Sequence, residues 1–339
     1  MGSPNPRHIT PLAEDEALQR IRSVLGSRIG VSGLEDDAAV LSVPPFSSLV
    51  VSVDSVVGGV HVDLDLCSPA DVGWKALMGA LSDLAAMGAS PLGALVALCI
   101  PGGSGDGSLA LGVTAGVAEA AGSAGCPVAG GDVSASSELV VAVTVLGVTY
   151  DGEQPPVVRA GAQPGDALLV TGPCGGSAAG LRVLRSGLRS GAALWSGPGS
   201  RGGALDAVVD GAAVASYRRP VARLAEGLLA RRRGATAMID VSDGLALDLH
   251  RLADASGLGF VLDEVPVAAG ATLDEALGGG EDFELIVAVA AAEVDRLCDA
   301  FGDEGLRVPL RVGSVVADPE LRVLGGQPLE RSGWQHVIG

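Results

Sequence analysis

Apolar residues along this chain follow two spacings, and the switches between them outline the elements. The runs AAVLSV and SSLVVSVDSV are short and rich in β-branched residues, which predicts strands. The segment SPADVGWKALMGALSDLAAMG instead sets Ala76, Leu77, Ala80, Leu81 and Leu84 on one helical face. Ser68 stands at the cap, Pro69 at the first helical position, Asp71 completes a capping box, and Gly88 supplies a stop. LGALVALCI then reads as a buried strand. A helix over residues 109–121, a short strand ending at GGD and the strand ELVVAVTVLGV follow, and an amphipathic helix is predicted upstream at residues 16–25.

The turn-rich stretch YDGEQPPVVRAGAQPGD marks a boundary near residue 152, dividing the chain into residues 1–152 and 153–339. Beyond it, ALLVTG, ATAMIDV, FVLDEVPV and FELIVAVA read as strands, with helices at about residues 177–184 and over DGLALDLHRLADAS. Residues 186–211, rich in Gly, Ala and Ser, read as a mobile insertion. Strands and helices mix without strict βαβ alternation. That predicts an α/β (mixed α+β) protein of two sandwich-like domains rather than one Rossmann sheet.

Composition narrows the class. A chain of 339 residues, 48% hydrophobic and 18% charged, suits two globular domains. The net charge of −18 argues against nucleic-acid or anionic-membrane partners, which need basic surface. Lys75 is the single lysine, so no GxxxxGK[ST] phosphate loop exists. Cys67, Cys99, Cys126, Cys174 and Cys298 form no CxxC, and the histidines show no zinc spacing, so a reducing cytoplasm is expected. MGSPNPRHIT lacks the apolar core of a signal peptide. The uncharged stretch 84–105 is broken by Gly88, Ser90, Pro91, Pro101 and Gly102, which argues against a membrane span.

The candidate chemistry lies in aspartates at strand ends. Asp36 and Asp37 precede a strand, Asp54 ends LVVSV, Asp132 ends VAGG, and Asp240 ends ATAMI with Asp243 three residues on. A carboxylate at the mouth of a buried strand is costly unless a cation or donor meets it. Several together, all-oxygen, point to a hard divalent ion, Mg²⁺ first. The bland alternative is that each aspartate forms a turn or caps a helix, with Asp240 and Asp243 serving the following one. For Asp83, inside a helix, it is a solvated face. GGD and GGGED add glycines that let backbone approach an anion. TGPCGGSAAG has no GxGxxG spacing and reads as a strand-to-helix turn rather than a phosphate loop.

In order along the chain, LEDDAAVL, SVDSVVGGVHV, KALMGALSDLAAMGASP, GGDVS, VVRAGAQPGDALLVTG, IDVSDGL, GGGEDFEL and a terminal GW resemble the thiamine-monophosphate kinase family of the aminoimidazole ribonucleotide synthetase superfamily. The resemblance runs from about residue 29 onward. It implies an N-terminal α/β domain that pairs in a homodimer, a C-terminal α/β domain, and ATP-dependent phosphorylation of thiamine monophosphate. It also implies Mg²⁺ ligation by Asp37, Ser52, Asp54, Asp83, Asp132, Asp240 and Asp243. Nucleotide contacts are implied at Gly131, Asp132, Arg159 and Ser242, and substrate contacts at His61, Glu281 and Trp334. No residue is expected as general base, because the acceptor phosphate is already ionised. This chain departs from the family pattern at Glu35 (usually Gly), Val53 (commonly Thr) and Val133 (often a hydroxyl residue). The alternatives are another ATP-using member of the superfamily, of the purine cyclo-ligase type, and a non-catalytic nucleotide or metal sensor.

Overall fold

Ser68 opens helix α1 (Pro69–Ala86) through a reciprocal cap. The Asp71 N–H donates to the Ser68 hydroxyl at 3.2 Å, and the Ser68 N–H donates to the Asp71 carboxylate at 3.0 Å. At the other end Gly88 adopts φ 64° and stops the helix. The computed structural model describes residues 19–21, 23–24, 42–45, 47–102, 107–150, 154–189 and 211–335. Of the helix predicted at residues 16–25, residues 19–21 and 23–24 are helical and the rest lies outside the described residues. The predicted strand AAVLSV falls mostly outside them, as does the stretch 186–211.

Contacts divide the chain into two units. The first holds residues 54–77 and 93–144 with the N-terminal segment, and the second holds residues 42–53, 78–92 and 145–339. A four-stranded sheet runs in the order β1 (Ser47–Val57), β4 (Val140–Tyr150), β2 (Ser90–Pro101), β3 (Val128–Ser136). Helix α2 (Ser108–Ala124) packs on α1 at backbone distance. A Cβ on Gly116 would stand 1.8 Å from the Ala70 carbonyl oxygen, and one on Gly73 1.9 Å from that of Val113, so only glycine fits either position. β3 does not end at GGD but continues to Ser136. Gly131 lies within it, where a Cβ would meet the Val96 oxygen of parallel β2 at 2.0 Å. The close pairing of β3 with β2 therefore requires glycine here.

The second unit is built on a seven-stranded sheet, ordered β11 (Gln327–Pro328), β10 (Arg322–Leu324), β7 (Gly259–Leu262), β9 (Leu310–Val316), β5 (Asp166–Val170), β8 (Leu285–Ala290), β6 (Ala235–Asp240). All its pairings are antiparallel except β10 with β7. One face packs Leu168, Ile239, Leu245, Leu249, Leu252 and Ile286 into a core with helix α6 (Leu245–Ser256). The other packs Leu169, Val287, Val289, Leu297 and Phe301 under helix α8 (Val294–Asp303). Helices α3 (Gly176–Arg189), α4 (Gly211–Arg218), α5 (Leu224–Arg232) and α7 (Leu273–Gly278) complete the unit. Two mixed sheets, with no doubly wound parallel order, match the expected fold class.

Candidate active site

Asp240 ends strand β6 and is 2% exposed. A chain carboxylate so deep needs a partner, and the buried Ser82 hydroxyl donates to its Oδ2 at 2.7 Å. One residue further along α1, Asp83 accepts the Ser52 hydroxyl at 2.5 Å. Burial first, and then the nearby Asp83 charge, push Asp240 up to about 7, while the charge of Arg159 on the turn Arg159–Gly161 draws it down. The N-cap of α6 is Gly244, which has no side chain to cap with; the Asp240 carboxylate meets Ser82 and that of Asp243 meets Arg251.

The turn after β6 is held from inside the helix. Asp248, fully buried, accepts backbone N–H groups of Ser242 at 3.1 Å, Asp243 at 2.9 Å and Gly244 at 3.1 Å on one oxygen. Its other oxygen takes Arg251 Nη1 at 2.6 Å, and the same nitrogen meets Asp243 Oδ2 at 2.5 Å. Two further predicted residues converge on this turn through the backbone. The Glu281 N–H donates to the Ser242 carbonyl and the Trp334 N–H to the Asp243 carbonyl, both at 2.8 Å. Trp334 is half exposed.

The structure thus links Ser52, Asp83 and Asp240 through side chains and a neighbouring charge, with Arg159 acting on Asp240. It gathers Ser242, Asp243, Glu281 and Trp334 around one turn. In the first unit, Asp54 is exposed and accepts the Ser55 N–H at 2.7 Å, and exposed Asp132 accepts the Ser134 hydroxyl at 2.8 Å. Gly131 is exposed beside it. His61 Nδ1 accepts the Val57 N–H at 2.9 Å, which leaves Nε2 as the protonated nitrogen of the neutral ring. Asp37 lies outside the described residues.

Among the described residues, no three His, Cys, Asp or Glu side chains converge as metal ligands. The donor set nevertheless fits a hard cation. Asp83 and Asp240 present only oxygen, each accepts a serine hydroxyl of its own, and their charges repel one another. The same family of contacts includes residues the sequence reading missed: Ser82, Asp248, Arg251 and Asp282. Asp248 had a signal, a lone carboxylate among apolar neighbours in DGLALDLHRL.

The glycine-rich turn at residues 171–180 keeps its N–H groups for the protein. Asp282 accepts those of Gly175 at 2.5 Å and Ser177 at 3.1 Å, so a helix start that could take an anion already holds one of the chain's own. The C-terminal segment that carries Trp334 is tied to α6 by His250. Its Nε2 faces the Leu329 carbonyl at 2.9 Å while Arg322 donates to Nδ1 at 3.0 Å, which fixes the neutral tautomer. Burial lowers the His250 pKa from 6.5; the Leu329 bond and the Asp254 charge oppose this, whereas Arg322 and Arg331 reinforce it. With the folded value depressed, the unfolded chain binds the extra proton, so this stability is present above about 6.5 and lost as pH falls below it. The urea midpoint should drop between about pH 7.5 and about pH 5.5, and His250→Gln should flatten that slope. An unchanged slope in the variant would assign the pH effect to other groups.

Comparison with known proteins places both halves. The profile for AIR synthase related protein, N-terminal domain, matches residues 35–149, and that for the C-terminal domain matches residues 163–326. A thiamine-monophosphate kinase from Methanospirillum hungatei is 31% identical over 95% of this chain and 98% of its own length. The crystal structure of thiamine-monophosphate kinase from Stenotrophomonas maltophilia superposes with a TM-score of 0.75 at 31% identity, covering 93% of this chain and 98% of that one. A solved complex described as AaThiL with AMPPCP and TMP superposes at 0.71 with 26% identity, covering 96% and 97%.

Proposed function

The chain belongs to the thiamine-monophosphate kinase family of AIR synthase related proteins, and from that premise we infer an enzyme that phosphorylates thiamine monophosphate to thiamine diphosphate with ATP. The observation that carries this reading is near full-length similarity to kinases of that name, one solved with an ATP analogue and TMP. Among the described residues no helix is long and apolar enough to cross a membrane.

The roles of individual residues are our assignment. Ser242 and Arg159, with Gly131 and Asp132, take the nucleotide, and His61, Glu281 and Trp334 take the acceptor. Glu281 supplies negative charge for a cationic thiazolium, and the half-exposed Trp334 offers a ring face. His61, with Nε2–H as donor, suits an oxygen of the acceptor phosphate. Asp37, Ser52, Asp54, Asp83, Asp132, Asp240 and Asp243 would hold Mg²⁺. Bound there, Mg²⁺ supplies neutralisation and alignment of the phosphate oxygens of two polyanions. The residues themselves orient ATP and acceptor in line. None needs to take a proton, since an ionised phosphate is the nucleophile.

The proposed division at residue 152 is supported by family matches that end at 149 and begin at 163. A homodimer is supported by edge strand β1, whose Leu49, Val51 and Val53 are 47%, 55% and 66% exposed. A cytoplasmic location is supported by the five cysteines, none of which is in a disulfide among the described residues. One experiment tests the activity: ADP release measured with thiamine monophosphate, free thiamine and a purine precursor as separate acceptors, on a preparation also run by sedimentation. Turnover with thiamine monophosphate alone, from a dimer, is expected. An alcohol acceptor would require a base that the assignment does not contain. Efficient use of free thiamine, turnover only with the purine precursor, or ATP binding without ADP release would each sink the reading. An active monomer would remove only the dimer.

A further inference from the structure

Asp282 sits between the only two non-glycine residues with positive φ among those described, Glu281 at 64° and Phe283 at 50°. Left-handed backbone at two such residues is strained and persists only where the surroundings enforce it. The enforcement is visible on both sides. Outward from Asp282, the Glu281 N–H bonds to the Ser242 carbonyl at 2.8 Å and the Phe283 N–H to that of Val241 at 2.9 Å. The Asp282 side chain goes the other way, to the N–H groups of Gly175 and Ser177 at the start of α3, more than a hundred residues away in sequence. Neither flanking glycine leaves slack: a Cβ on Gly280 would stand 2.7 Å from the Ser242 carbonyl oxygen, and one on Gly175 2.7 Å from the Ala276 backbone nitrogen in α7.

We propose that Asp282 is a positioning residue for the acceptor end of the site: by pinning the strained 281–283 segment to the start of α3, it fixes the Glu281 backbone against the Ser242–Asp243 turn and so sets where its side chain starts. The proposal rests on the reading of Glu281 as an acceptor contact. Its chemistry is consistent with the burial of Asp282. Desolvation pushes this carboxyl up to about 7, against the N–H groups of Gly175, Ser177 and Gly176 that favour its charge. A buried carboxylate is an expensive way to close a turn unless the turn has to stand still. The N–H donors of Gly175 and Ser177 at this glycine-rich helix start are committed to the brace.

The test is a double-mutant cycle on the full-length enzyme, with kcat and KM read separately for ATP and acceptor, and thermal midpoints recorded. E281Q, D282N and the double variant are compared with the parent. D282N should raise the acceptor KM about tenfold or more while the ATP KM moves little. In the E281Q background the same change should add almost nothing, because the residue it acts through is already disabled. Multiplicative losses in the double variant, with E281Q alone raising the acceptor KM, would overturn the proposal and leave the Glu281 reading standing. An unchanged acceptor KM in E281Q would overturn both. If D282N does not fold, D282E retains the charge but displaces it by one methylene, and a rise in acceptor KM confined to the Glu281-containing background is again the expected result. An acceptor KM in D282E equal to that of the parent would overturn the proposal.

Discussion

Asp83→Asn and Asp240→Asn should each lower the rate of ADP release by about 10²–10³-fold while leaving the fold intact. The two carboxylates are the part of the site where the structure shows charge held against its own interest. Asp240 is buried at the end of β6, raised by desolvation and by Asp83, and met by a neutral donor, the Ser82 hydroxyl. Asparagine has the same shape, and its Oδ1 can still accept the Ser82 hydroxyl, so packing is kept. The like-charge repulsion with Asp83 disappears. In the presence of a chelator the thermal midpoint of Asp240→Asn should therefore be equal to or above that of the parent, the pattern expected where a site is kept for function at the expense of stability. A solvated-face role for Asp83 predicts the opposite pair of results, normal turnover and no change in Mg²⁺ dependence. Near-normal activity at ordinary Mg²⁺ would remove these residues from the metal assignment. Thermal shifts on adding Mg²⁺, present in the parent and reduced in both variants, provide a readout independent of turnover.

The legible parts of this protein were those where the apolar period and local chemistry agree. The capped α1, β1, β2, β4, β6, α6 and β8 were predicted near their observed bounds because each carries a run of the right period between clear stops. Helix α8 was missed although Val294, Leu297, Cys298 and Phe301 recur at helical spacing; its start is blurred by the alanine-rich AAAEV. Helix α7 has six residues and leaves too little pattern to detect. β3 was cut short at GGD because paired glycines normally end a strand, whereas here close approach of β2 requires Gly131 inside it. At the site, aspartates at strand ends were visible because burying them is costly. The residues that hold them were not. Ser82, Asp248 and Asp282 act across 158, up to 6 and up to 107 positions of sequence, and no local pattern separates a brace from a turn former.

Asp248→Ala should cost about 3–5 kcal/mol of folding stability, and Asp248→Asn should fold but lose about 10–100-fold in activity. The carboxylate of Asp248 does three jobs from the interior of α6. It gathers the N–H groups of Ser242, Asp243 and Gly244 on one oxygen, it pairs with Arg251 on the other, and through Arg251 it orients Asp243. Burial pushes this carboxyl up, and the Asp243 N–H and Arg251 hold it down, so it is retained as a charge only by that set of partners. Alanine leaves three turn N–H groups without their acceptor and strips Arg251 of one partner, a loss the turn cannot absorb without moving. Asparagine keeps one oxygen for the N–H groups but turns an amide NH₂ toward the guanidinium. Arg251 then relies on Asp243 alone, and the closer ion pair competes with any cation that Asp243 would bind. The expected signature of Asp248→Asn is therefore a higher Mg²⁺ requirement together with a higher ATP KM, since Ser242 and Asp243 share the turn. Arg251→Ala in the Asp248→Asn background should restore part of the Mg²⁺ affinity by releasing Asp243. Normal Mg²⁺ dependence in Asp248→Asn, or no recovery in the double variant, would show that the turn keeps its geometry without this buried carboxylate.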